Sequence, residues 1–222
     1  MSTKIYYIYD IVETLKQYSD DSDISNSHIS FLIDDVRALL LRQKYRDIGS
    51  KVPEAIKQRI HLDTELTDDN EFASLDKMLR TKNAIPRLIE SWELTHAMYI
   101  DAGGYRDLKF QLVDQNRFPY VGNDKNLQNL VYVTLGQDYR LYFASSGVKH
   151  KIIEKVRLLG VFEDPKTAWE ASADYNVTKN FEEDINYPID LDMWVAMKDI
   201  ILKQLGMSLS IPQDKNNNAD DR

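Results

Sequence analysis

LVYVTLGQDYRLYF, residues 130–143, is the stretch on which the reading of this chain turns. Two short runs rich in Val, Leu, Tyr and Phe flank Gly136-Gln137-Asp138, and that pattern predicts a β-hairpin turning at those three residues. The same texture extends in both directions. AIPRLIES (84–91), YRDLKFQLVD (105–114) and IIEKVRLLGVF (152–162) are short and apolar, and turn residues such as Asp101-Ala102-Gly103-Gly104 and Val121-Gly122-Asn123-Asp124 separate the runs. Residues 84–187 therefore read as a β-rich, antiparallel domain. At its far end Asp164-Pro165 offers an N-cap and a proline at the first helical position, which opens a short helix through Trp169 and Ala173.

Helices are expected on either side of the β-rich part. In 188–206, which follows Tyr187 and reads PIDLDMWVAMKDIILKQLG, Pro188 and two aspartates stand at the start and lysines come later. Gly206 stops the run, in keeping with dipole and capping preferences at both ends. Met193, Met197, Ile200, Ile201 and Gln204 form one stripe, flanked by Trp194 and Leu205 and expected to pack on an N-terminal helical hairpin over 1–47. That hairpin has Ile5, Ile8, Val12 and Leu15 in its first helix. Its second carries Ile29, Leu32, Ile33, Val36, Leu39 and Leu40 at spacings of three and four. The fold class predicted is α+β, with the hairpin and C-terminal helix packed together beside the β-rich middle.

DDSDISNSHIS, residues 20–30, joins the two N-terminal helices and raises the question of a calcium loop. Started at Asp21, such a loop would place Asn26 where a glycine makes the sharp turn and Leu32 where a bidentate glutamate completes the shell. Helix capping fits better: Ser25 or Ser27 accepts from a first-turn amide, and Asp21 and Asp23 lie near the positive end of the helix dipole.

Residues 48–83 are weakly patterned. VPEAIKQRI predicts a short helix from Pro53, and LDTELTDDNEFASLDKML predicts helix only in its second half. The chain closes with 207–222, whose QDKNNNADDR end has too little apolar surface to fold alone.

Composition narrows function. A 222-residue chain that is 43% hydrophobic can bury a core, and a net charge of −8 without a basic block argues against coating nucleic acid non-specifically. The absence of cysteine removes disulfides, thiolate catalysis and cysteine zinc sites. MSTKIYYIYDIVE lacks the apolar core of a secretory signal and no run approaches a membrane span, so no membrane role is expected.

His28, His61, His96 and His150 are dispersed, and no phosphate loop, dinucleotide fingerprint or serine elbow is present. No catalytic, cofactor-binding or metal residues are assigned. Asp101, Asp107, Asp114 and Glu163 are the acids a carboxylate- or metal-dependent hydrolase would use, which is kept as an alternative. The contact candidates are Tyr99, Tyr105, Tyr120, Tyr132, Tyr139 and Tyr142, because tyrosine joins apolar area to a polar tip. Half-buried tyrosines are also ordinary in sheets, and that reading is the stronger for any one of them. Ile211 and Asp214 are the candidates in the tail.

YSDDSDISNSHI followed by FLIDDVRALLLRQKYRD, then KVRLLGVFEDP, then NYPIDLDMWVAMKDIILKQLG with its IPQDKNNNADD tail, resembles the neck ring proteins of crAss-like bacteriophages. More loosely the chain resembles the helix-plus-β adaptor proteins of short-tailed phages. The first resemblance implies a virion structural protein, assembled in the host cytoplasm, that forms a ring of about twelve copies in the neck. It implies contacts with the portal and with adjacent neck or tail rings, passage of genomic DNA without specific binding, and no enzymatic activity. A tail adaptor or other interaction protein is the nearer alternative.

Overall fold

A computed structural model of the chain describes residues 2–18, 24–46, 51–67, 78–89, 98–102, 107–121, 125–147, 149–174 and 178–209. Its helices are α1 (Lys4–Tyr18), α2 (Asn26–Lys44), α3 (Pro165–Glu170), α4 (Phe181–Asp184) and α5 (Leu191–Leu209). Its strands are β1 (Gln58–Thr67), β2 (Met78–Thr81), β3 (Tyr99–Asp101), β4 (Lys109–Leu112), β5 (Leu130–Leu135), β6 (Leu141–Ala144) and β7 (Lys155–Gly160). The chain is α+β, with helices at both ends and an antiparallel-rich sheet between them. It divides into a helical unit, Met1–Gln43 with Lys179–Arg222, and a sheet unit, Lys44–Thr178.

In the helical unit, α1 buries Tyr7, Ile8, Ile11 and Leu15, and α5 buries Met193, Trp194, Met197, Ile201 and Leu205. Ser25 caps α2, its Oγ accepting from the His28 amide at 3.3 Å. The two positions that spoil a calcium loop, Asn26 and Leu32, lie inside this helix. The buried side of α2 runs through Ile29, Ile33, Val36, Arg37 and Leu41. Leu39, expected in that stripe, is 42% exposed. The buried line advances in steps of four through 33, 37 and 41, and 100° per residue carries position 39 to the opposite side.

Two cations are buried in this unit, each with a polar partner. Lys4 Nζ lies 2.5 Å from Asp34 Oδ2, and Asp34 Oδ1 accepts from the Tyr187 hydroxyl at 2.7 Å. Arg37, with no exposed surface, donates from Nε to the Pro188 carbonyl at 2.8 Å. The ammonium of Lys4 and the guanidinium of Arg37 each stand 5.8 Å from the centre of the Tyr187 ring, a cation–π distance. Tyr187 N also donates to Ser2 O at 3.0 Å, so the 186–188 crossing ties α1, α2 and the chain's return together.

The sheet unit orders its strands β3-β7-β1-β2-β6-β5-β4. All the named pairs are antiparallel except β4 with β5, which is parallel. The strands at the two ends of that order, β3 and β4, lie against each other. One cluster gathers Ile60, Leu62, Leu79, Ile100, Val133, Phe143, Val156 and Leu158, side chains from β1, β2, β3, β5, β6 and β7. The sheet therefore curls around its own core in the manner of a barrel. The hairpin read from 130–143 is β5–β6, with Leu135 opposite Leu141. Gly136 N donates to Arg140 O at 2.8 Å, and Tyr139 takes the left-handed position of the turn with φ 58°. Asp164 caps α3 by accepting from the Lys166 and Thr167 amides at 2.9 and 3.3 Å.

Expectations for two stretches are corrected. The helix from Pro53 is a single 3-10 turn, Glu54–Ile56, and the chain then enters β1, an interior strand of the sheet. Ile60, Leu62 and Thr64 are buried while Arg59 is exposed and His61, Asp63 and Glu65 are half-buried, a period of two that the good helix formers around Pro53 obscure. Pairing with β7 over 58–63 and with β2 over 64–67 overrides local propensity. Of the second half expected to be helical, Met78 and Leu79 belong to β2, and 68–77 lie outside the described residues. The described part of the second stretch, 84–89, is not a strand. Pro86 has no amide to donate, and the segment makes one bridge, Leu88 with Phe162, through bonds from Ile89 N to Val161 O and from Glu163 N to Arg87 O, plus an isolated bond from Ile85 N to Tyr139 O.

Candidate subunit interface

Several of the acids pair with bases, and the histidine His61 meets an acid. Asp101 faces Arg157 at 2.6 Å across the β3–β7 ladder, and the hydrogen bond and charge of Asp101 hold that guanidinium above its ordinary pKa. Glu163 lies 3.5 Å from Arg87. Asp107 is exposed, and the carbonyl of Asp114 accepts from the Arg117 and Phe118 amides. His61 Nδ1 is 2.7 Å from Asp174 Oδ2, and Glu65 pairs with Arg80 at 2.9 Å. Burial acts to lower the pKa of Arg80, but the hydrogen bonds of Glu65 and Tyr142 outweigh it and the net shift is upward. The Arg157–Asp101, Arg87–Glu163 and Arg80–Glu65 pairs neutralise charge across the sheet surface. Among the described residues no three His, Asp or Glu side chains gather as a metal set, and no helix is long and apolar enough to cross a membrane.

The surfaces are more informative. Of the tyrosines singled out, Tyr99, Tyr120 and Tyr139 are exposed, Tyr120 the most at 83%. Tyr132 is half-buried and packs on a small cluster with Met78, Phe118 and Tyr142. Tyr142 has no exposed surface and gives its hydroxyl to Asp138 Oδ2 at 3.0 Å, so it serves the core of its own unit. Tyr105, Ile211 and Asp214 lie outside the described residues. Tyr139 borders a shallow, largely apolar recess of about 400 Å³ with Leu88, Ile89 and Leu135.

Sequence reasoning missed the helical unit's outer faces. On α2, Phe31 is 65% exposed and Leu39 42%, and with Asp35 and Arg42 they follow spacings of four, four and three along the solvent side. A second face forms where α1 meets α5. Asp10 accepts there from Trp194 Nε1 at 3.1 Å and from Lys198 Nζ at 2.8 Å, and the Tyr7 and Trp194 rings meet with centroids 4.3 Å apart. One helical step outward from this seam stand Tyr6 and Tyr9 on α1, with Leu191 and Val195 on α5, all more than half exposed. The signal was available: Tyr6 and Tyr9 fall off the stripe of Ile8, Ile11 and Leu15, and apolar residues off the core stripe are candidates for contact with another chain.

Both compact units expose large aromatic and aliphatic side chains. The family model described as phage tail ring protein 2 matches residues 6–222. The chain is 31% identical over 217 residues to "Ring protein 2" of Bacteroides phage crAss001, covering 96% of this chain and 95% of that protein. It belongs to the phage tail ring protein 2 family.

Proposed function

We propose that the protein is a structural subunit, not an enzyme, that closes head-to-tail into a ring of about twelve copies in the phage neck, joining the portal to the tail. The single observation carrying this reading is the family match over nearly the whole chain. Exposed apolar side chains on both units supply surface for such contacts. The acidic balance of the chain suits a conduit, because a negative lumen repels passing phosphates and lets DNA move without sticking. Assembly takes place in the host cytoplasm before the ring enters the virion. The exposed Tyr99, Tyr120 and Tyr139, with Tyr105, contact neighbouring proteins, and the tail carrying Ile211 and Asp214 docks on the adjacent ring.

Quantitative mass spectrometry of gradient-purified particles tests this. An abundance equal to that of the portal is expected, and absence from particles overturns it. Deleting 213–222 is expected to leave the subunit folded and to impair attachment of the next tail component; normal assembly of the truncated protein would defeat the docking role of the tail.

A further inference from the structure

β1 changes neighbours partway along. Its pairs with β7 run from Gln58↔Gly160 to Asp63↔Lys155, whereas its pairs with β2 begin at Thr64↔Thr81. Thr64 N donates to Glu154 O at 2.9 Å, in the register of β7. Residues of an antiparallel strand turn their backbone groups to one neighbour and the other in alternation, so Arg59, His61 and Asp63 turn theirs away from β7. Asp63 O accepts from the Lys82 amide at 2.9 Å, beside the end of β2. Among the described residues no strand pairs with that side of 58–62.

The segment that includes α3 fills the place. Ser172 Oγ accepts from His61 N at 3.0 Å and Ala173 N donates to His61 O at 2.6 Å, so both outward backbone groups of His61 are taken. The His61 ring is held as well, with Nδ1 2.7 Å from Asp174 Oδ2, and Lys155 Nζ stands 3.5 Å from Asp174 Oδ1. At the other end Gln58 Nε2 donates to Pro165 O at 2.9 Å, and Ala168 of α3 is buried in the sheet unit's core. Ile60 and Leu62 alternate with the outward-turned residues and are buried too. An extended run of this kind with unmet amides and carbonyls is a template for pairing with another chain, and a helix or loop laid over it removes the template. We propose that 163–174 is an edge cover, which holds this half of β1 closed against strand pairing with a second copy of the chain. A second copy is the strand donor present in any sample of the pure protein.

The full chain carrying Ser172→Ala and Ala173→Pro loses both bonds to the His61 backbone. Circular dichroism verifies that it is folded, and sedimentation velocity, thioflavin T fluorescence and hydrogen exchange read its association. This opened variant is expected to associate and to bind thioflavin T at concentrations where the wild type gives no such signal, with exchange over 58–63 slowed in the associated form. Adding His61→Pro removes the outward amide without touching a bond to β7, and is expected to abolish both signals. If Ala173→Pro does not fold, Ser172→Ala with Asp174→Ala takes its place and the same two comparisons apply.

A folded, opened variant that associates no more than the wild type overturns the proposal. Association that persists after His61→Pro also overturns it, because exposed core and not the β1 edge is then responsible. Neither outcome bears on the ring reading, which makes no use of this edge.

Discussion

Replacing Asp34 by Asn tests how the helical unit tolerates its buried cation. The Lys4 side chain is 3% exposed and its ammonium has the Asp34 carboxylate at 2.5 Å, while Asp34 itself is 28% exposed. Removing the acidic partner of a buried pair costs about 3–5 kcal/mol, because the remaining charge is neither hydrated nor compensated. Water reaching the partly exposed Asp34 position lowers this to about 2–3 kcal/mol. The carboxamide oxygen of the Asp34→Asn variant still accepts from Tyr187, so that hydrogen bond is not the quantity being measured. Replacing Lys4 by Met instead removes the group that needs compensation and leaves a half-wet carboxylate bonded to Tyr187 at 2.7 Å, at a cost of about 1 kcal/mol. The double variant should therefore be more stable than Asp34→Asn alone, with a coupling of about 1–2 kcal/mol. Urea denaturation followed by far-ultraviolet circular dichroism, at concentrations where the chain is monomeric, measures all three. The reasoning is refuted if Asp34→Asn costs no more than Lys4→Met, or if the two single costs add in the double variant.

Other expectations are more local. Gly147→Ala should destabilise the sheet unit by about 1–3 kcal/mol in the same denaturation, because the new Cβ would crowd the backbone oxygen of Gln128, which cannot rotate away. Asp164→Ala should cost about 1 kcal/mol by uncapping α3, and Asp164→Asn should restore most of it. Burial raises the pKa of the Tyr7 hydroxyl above its ordinary 10.0, so the folded chain resists a deprotonation that the unfolded chain accepts. The stability tied to Tyr7 is then complete below pH 10.0 and is lost as pH rises through the folded value. Tyr7→Phe should flatten that loss, as read by thermal melts across the alkaline range.

The sequence was most legible where a local device acted alone. The Gly136-Gln137-Asp138 turn, the Asp164-Pro165 cap and the serine cap of α2 are each written within a few adjacent residues, and each is found as expected. The inner face of α5 was legible as well, because Met193, Met197 and Ile201 keep a helical spacing over several turns. β1 was hidden for the opposite reason: its stability comes from β7, far along the chain, and from β2, beyond an intervening segment, while its own residues suit a helix. The outer side of α2 was only partly legible. Leu39 read as part of the core stripe until the buried line was known, and Arg37, a charge, occupies a core position on α2.

The helical unit is assembled from the first 43 residues and a stretch that resumes at 179, with the whole sheet unit inserted between. On the ribosome, α1 and α2 emerge first and wait with their apolar sides uncovered until α5 has been made, while the sheet unit can fold in the interval. A chain broken off or terminated early can thus carry a complete sheet unit and still lack the finished seam of Tyr7, Asp10 and Trp194. Completion of synthesis is the condition for a finished helical unit, however early the sheet unit has formed.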